Sequence, residues 1–166
     1  MRNSGRIRAV FDCNTLVQAI AFPDGPAAAC LELVRAGILE LFVSKSTLAE
    51  LRRVLGYAPI REVAPHLTES RVEEFLAWLV FRGTFVRRVP RAFEYPRDPD
   101  DEPYIDLALA AQANFLVSSD DDLLVLGYGH SDSCKRFRRE ARGIRVVDPP
   151  TFLRLIRQSK SDVRRR

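Results

Sequence analysis

Cysteine and histidine are scarce in this chain: it has three Cys and two His in 166 residues. Cys13, Cys30 and Cys134 are too few and too widely spaced for a disulfide framework or a zinc site, so they read as reduced thiols. Long apolar runs are missing too. No stretch approaches the ~18 residues that a membrane-spanning helix needs. The opening Met-Arg-Asn-Ser-Gly has no hydrophobic signal core. The expectation is a soluble, cytoplasmic protein with no membrane partner. Repeats and low-complexity tracts are also lacking, and 166 residues suit one domain with a single core. Its bounds read as residues 1–158, with a basic C-terminal tail at 159–166.

What the chain does have is uneven charge. The formal net charge is +4. Arg87, Arg88 and Arg91 form one cluster, and Lys135, Arg136, Arg138, Arg139, Arg142 and Arg145 form another. The last three residues are all Arg. Such runs can neutralise phosphates and steer nucleic acid. A solvated basic face explains any one of them equally well, and the terminal three suit a frayed tail.

Strand and helix patterns alternate along the chain. Residues 7–11 are an apolar run closed by a polar turn, which predicts a buried strand. A turn at 22–26 leads to helical spacing over 27–35, stopped by Gly37. Residues 38–43 read as a strand, and 47–55 and 68–81 as helices. The second of these turns Val72, Phe75, Leu76 and Leu79 inward. A short strand is expected at 84–89. An ordered loop at 90–103 then leads into a helix at 104–113. After it come a strand at 115–118, a short helix at 121–126 and a flexible turn at 127–129. The basic stretch 131–142 has no assignment. A strand at 144–147 and a helix from Pro149 to about Arg157 complete the pattern. This alternation predicts an α/β fold with a central, mostly parallel sheet covered on both faces, its site beyond the carboxyl ends of the strands.

Four acids fall where that fold would gather them: Asp12 at the end of the first strand, Glu50 in a helix, Asp101 at a helix start, and Asp120 after a later strand. Each has a structural alternative. Asp12 suits an Asx turn or helix cap. Thr47-Leu48-Ala49-Glu50 matches a capping box. Asp101 could cap the Ala-rich helix. One of Asp120, Asp121 and Asp122 could cap the helix that follows, with Asp122 read as cap or outer-shell ligand. Asp98 could pair with Arg97 or shape the loop, and Asp106 lies one turn past the cap. A carboxylate set that no Cys or His joins suits a hard divalent cation, Mg²⁺ or Mn²⁺. On a basic chain this points to chemistry on a phosphodiester backbone. Neither His66 nor His130 falls in a motif. Phosphatases with an aspartyl nucleophile want a second Asp two residues after the first, and Asn14 stands there instead.

Four motifs in order carry a resemblance. They are Asp12-Cys13-Asn14-Thr15-Leu16 after a hydrophobic strand; Ser44 to Leu55 with Glu50; Asp98-Pro99-Asp100-Asp101 before an Ala-rich helix; and Ser118 to Leu124 after a strand. Over nearly its full length the chain resembles PIN-domain proteins, and most closely the subfamily of toxin components in prokaryotic toxin–antitoxin pairs. Departures are Ser118-Ser119 where Thr-Gly is common and Asn114 where Asp is common. The resemblance implies a three-layer α/β/α PIN-like fold and a Mg²⁺- or Mn²⁺-dependent endoribonuclease. Asp12, Glu50, Asp101 and Asp120 would be its catalytic and metal-binding residues, supported by Asn14, Ser118 and Asp122. Arg52, Arg53, Arg87 and Arg97 are candidates to position RNA. A cognate antitoxin and a homodimer are the implied partners, with Phe75, Trp78 and Phe81 as candidates for the dimer face. A non-catalytic PIN-like module that binds RNA or protein is the alternative.

Overall fold

The computed structural model describes residues 5–163, with side chains described through residue 159. Residues 1–4 and the three terminal Arg read above as a frayed tail lie outside the described residues. The first strand, β1 (Ile7–Phe11), shows why the sheet is a middle layer. Ala9, Val10 and Phe11 are consecutive and all buried. Successive strand side chains point to opposite faces, so both faces of β1 must be covered. Four more strands join it: β2 (Leu39–Ser44), β3 (Thr84–Val86), β4 (Phe115–Val117) and β5 (Arg145–Val147). All pairings are parallel, in the order β3-β2-β1-β4-β5. The helices are α1 (Cys13–Ala21), α2 (Pro26–Arg35), α3 (Lys45–Leu55), α4 (Ala58–Val63), α5 (Glu69–Arg82), α6 (Glu102–Ala110), α7 (Asp121–Leu124), α8 (Asp132–Glu140) and α9 (Pro149–Val163). They complete the expected α/β/α layering.

Strand order decides where a site can form. The chain builds outward from β1 to β2 and β3, then returns to lay β4 and β5 on the other side of β1. Crossovers therefore diverge between β1 and β4, leaving a crevice at their carboxyl ends. The register Phe11↔Val117 brings those two ends level. Behind them the core is apolar, with Phe152 set edge-on to Phe11 and Phe115 at 6.1 and 5.1 Å.

Several local expectations change. The polar turn after β1 is instead the start of a nine-residue helix, α1, capped by Asp12. Helix α3 starts at Lys45, and its capping box is Ser44 with Thr47. Glu50 therefore has no capping role, because Thr47 already occupies the third helical position. Helix α4 carried no recognised pattern, and the helix after the acidic loop begins at Glu102 rather than 104. The unassigned basic stretch is α8, whose only buried side chains are Cys134 and Phe137. Gly37 ends α2 as expected. Its φ of 70° lets its N–H reach Val34 O at 3.1 Å while Ile38 N–H reaches Leu33 O at 3.0 Å. Of the proposed dimer residues, Phe75 is buried and Trp78 lies under Arg35 with the cation 4.7 Å from its ring, whereas Phe81 is open to solvent. Among the described residues no helix is long and apolar enough to cross a membrane.

Candidate active site

Asp12 is the residue on which β1, α1 and β4 meet. Its N–H donates to Val117 O at 3.1 Å, which ties the end of β1 to β4. Its Oδ1 caps α1 by accepting Thr15 N–H at 2.9 Å, and its Oδ2 accepts the Ser118 hydroxyl at 2.5 Å. The cap reading therefore holds for one oxygen, while the other is held by Ser118. Asp12 is buried, and burial raises its pKa. Hydrogen bonds from Ser118 and Thr15 oppose that rise, and the charge of Asp120 adds to it.

Ser118 passes the link onward. Its N–H donates to Val147 O at 3.0 Å, and its Oγ accepts Asp120 N–H at 2.9 Å while donating to Asp12. This places Asp120 beside Asp12. Asp120 Oδ1 caps α7 by accepting Asp122 N–H at 2.8 Å. Asp122 is thus not the cap. Its carboxylate pairs with Arg97 at 2.5 Å and its carbonyl accepts the Tyr95 hydroxyl.

Asp101 differs from all of these. It heads α6 but makes no side-chain cap bond, so the capping alternative does not hold for it. Its carboxylate is buried, and among the described residues Oδ2 has no hydrogen-bond partner. Burial is the largest cause that lifts its pKa to about 8, with repulsion from Asp98, Asp120, Asp12 and Asp122 adding to it. Asp98, Asp101 and Asp120 each offer an oxygen, and the three lie within 4.8 Å of one another. Asp98 was not read as a site residue. Its place in Asp98-Pro99-Asp100-Asp101 was the available signal: Asp98 accepts Asp100 N–H at 3.1 Å, and that turn carries Asp101.

Glu50 lies to one side of this trio. It accepts the Tyr104 hydroxyl at Oε2, and Arg53 stands 3.9 Å from Oε1. Tyr104 and Cys13 fill the space between Glu50 and Asp12, and each feels both charges. The Cys13 thiol is pushed up to about 12, mainly by burial, so it stays protonated and unreactive. Tyr104 is the second residue the sequence reading missed; an aromatic inside an Ala-rich helix reads as core. Asn14 is exposed in the first turn of α1. Of the arginines, Arg97 stands at the acidic rim, Arg52 pairs with Glu73, Arg53 reaches the Tyr57 hydroxyl, and Arg87 lines a surface hollow with Ser44 and Lys45. His66 and His130 are both exposed and neither joins the group.

A parallel α/β sheet that gathers carboxylates at its switch point offers a donor set suited to a hard divalent cation. The fold family is set by sequence as well: a model of the PIN domain matches residues 8–122, and the chain belongs to that family. The match takes in every acid described above and ends before residues 123–166. A comparison with curated proteins gave no match. PIN domains are in general nucleases that use divalent metal ions. The residues present fit such an ion: three carboxylates offer hard oxygen donors, and the partnerless Asp101 oxygen is buried among them at an energetic cost that a cation removes.

Proposed function

We propose that the protein is a Mg²⁺- or Mn²⁺-dependent endoribonuclease. The observation that carries this reading is the buried, unpartnered Oδ2 of Asp101, set against Asp98 and Asp120. Asp101, Asp120 and Asp12 are the direct ligands, with Asp98 closing the same cluster and Glu50 holding the far side. When bound, the ion lowers the pKa of water and offsets charge at the scissile phosphate. The chain's own groups do the positioning. Ser118 fixes Asp12 Oδ2 in place, and Tyr104 holds one Glu50 oxygen so that the carboxylate is oriented. Asn14, exposed on the first turn of α1, orients a water or a phosphate oxygen. Arg97 is held by Asp122 at the rim, where it meets the RNA backbone.

The order of the four acidic motifs supports a further step, that this nuclease is the toxin of a toxin–antitoxin pair working in the cytoplasm. Its antitoxin would be a small protein that covers the acidic crevice. Phe81 on α5 and Phe85 on β3, both exposed, offer a face for a second copy.

The test is cleavage of a panel of structured RNAs with Mg²⁺, Mn²⁺ or EDTA, beside Asp12→Asn, which keeps the α1 cap. Metal-dependent cutting that the variant loses is the expected result. Intact RNA under every metal condition, from folded protein, would favour a non-catalytic module that binds RNA or protein.

A further inference from the structure

One of the basic clusters of the chain forms a groove of its own. Residues 127–145 hold six Lys and Arg against Asp132 and Glu140, leaving +4, the formal charge of the whole chain. This segment lies beyond the residues that match the family. Some of its cations are committed: Arg136 and Arg139 share Glu140 at 3.0 and 3.6 Å. Arg142 and Arg145 are exposed, and among the described residues neither has an ion-pair partner. With Arg138 and Tyr128 they line a groove of about 460 Å³ beside β5.

Tyr128 is the informative member, with 69% of its surface open to solvent. The turn that presents it is nevertheless fixed. Tyr128 N–H and Gly129 N–H both reach Val125 O, at 3.2 and 2.6 Å, and Arg138 clamps Gly129 O at 2.8 Å. A side chain at Gly129 would meet Cys134 Sγ at 2.7 Å and Val125 O at 2.8 Å. The expected flexible turn is therefore packed, and it holds an aromatic ring in water beside three guanidinium groups. Single-stranded nucleic acid is recognised by this pairing, with bases stacking on rings and phosphates meeting cations. A duplex keeps its bases stacked inside and has none to offer Tyr128. An acidic protein segment would engage the arginines but leave the ring unused.

Two residues of the groove's lining are tied to the site: Val147 O accepts Ser118 N–H at 3.0 Å, and Leu124 belongs to the helix that Asp120 caps. We propose that this groove holds single-stranded RNA running on from the cleavage point, with a base on Tyr128 and phosphates on Arg142 and Arg145. Arg138 is a positioning residue that keeps the turn in place. The proposal rests on the ribonuclease reading.

The test is binding of a short fluorescent single-stranded RNA in EDTA, followed by cleavage kinetics with Mn²⁺. Arg142→Ala/Arg145→Ala should lower the slope of log K against log salt by about 1.4, the value for two lost phosphate contacts on a single strand. Tyr128→Ala should weaken binding by about tenfold, with Tyr128→Trp restoring it. KM for the strand should rise in both variants with kcat kept. Wild-type protein that cuts RNA while these variants bind and cut unchanged would overturn the groove and leave the nuclease standing. Variant-sensitive binding without any cutting would support the groove and sink the nuclease. Poly-glutamate that displaces RNA in an arginine-dependent way, with Tyr128→Ala without effect, would replace RNA by an acidic protein partner and overturn the proposal.

Discussion

Helix α6 has a buried carboxylate at its N-cap, Asp101, and another just over a turn later, Asp106, and the two are held in opposite ways. At Asp106 the charge is satisfied: Oδ1 accepts Ala92 N–H at 3.0 Å and Phe93 N–H at 2.9 Å, so the carboxylate pins the loop before the helix. At Asp101 the charge faces other carboxylates and one oxygen has no partner. Burial alone therefore does not mark a functional acid, because both are buried. Asp106, whose one oxygen takes two backbone donors, is part of the scaffold. An acid that the fold leaves short of donors needs something from outside, and here a cation fits.

The contrast yields three expectations, the largest first. Burial and the neighbouring carboxylates raise the pKa of Asp101 in the folded protein to about 8, well above the ordinary carboxylate range. Its contribution to stability is thus full below the ordinary carboxylate range and is lost as pH rises through about 8. Metal-free protein should lose up to about 1.4 kcal/mol per pH unit across that window. Thermal melts at stepped pH should show the slope, Mn²⁺ should abolish it, and Asp101→Asn should flatten it. A flat profile in metal-free wild type would remove the distinction between the two acids.

The second expectation sets the acids against each other. Asp106→Ala strands two backbone N–H groups and should cost about 3 kcal/mol in denaturant unfolding, with Mn²⁺ affinity nearly kept. Asp101→Asn should instead stabilise the metal-free fold. It should weaken Mn²⁺ binding by more than the roughly 10–100-fold typical of outer-shell partners. If both variants lost stability and metal affinity alike, the scaffold and the site would be one network. The smallest effect is expected at Tyr104→Phe, which frees Glu50. Mn²⁺ titration should give about tenfold weaker affinity with an unchanged melting temperature in the absence of metal.

Much of this was legible in the chain before any geometry. Strand-terminal acids betray themselves by following apolar runs, which is why Asp12 and Asp120 were placed at one sheet edge. Local ambiguity hid the rest. Asp12-Cys13-Asn14-Thr15 is as good a turn as a helix start, and only the buried face of α1 decides. Thr47-Leu48-Ala49-Glu50 has the spacing of a capping box, yet Ser44 stands one turn earlier and takes that role with Thr47. Helix α8 escaped because charged residues occupy most of its length and only Cys134 and Phe137 face inward. Tyr104 escaped for a different reason: its role depends on a neighbour distant in sequence, Glu50, 54 positions away.

The hydrogen bond from Ser118 to Asp12 spans 106 positions, and β1 must wait for β4 before it has its second neighbour. A growing polypeptide emerging from the ribosome thus carries Asp12 and Glu50 long before their counterparts exist. Contacts of such separation form late, because the intervening loop must close first. Any chemistry that needs Asp12 and Asp120 together has to wait until β4 and the residues after it have been made.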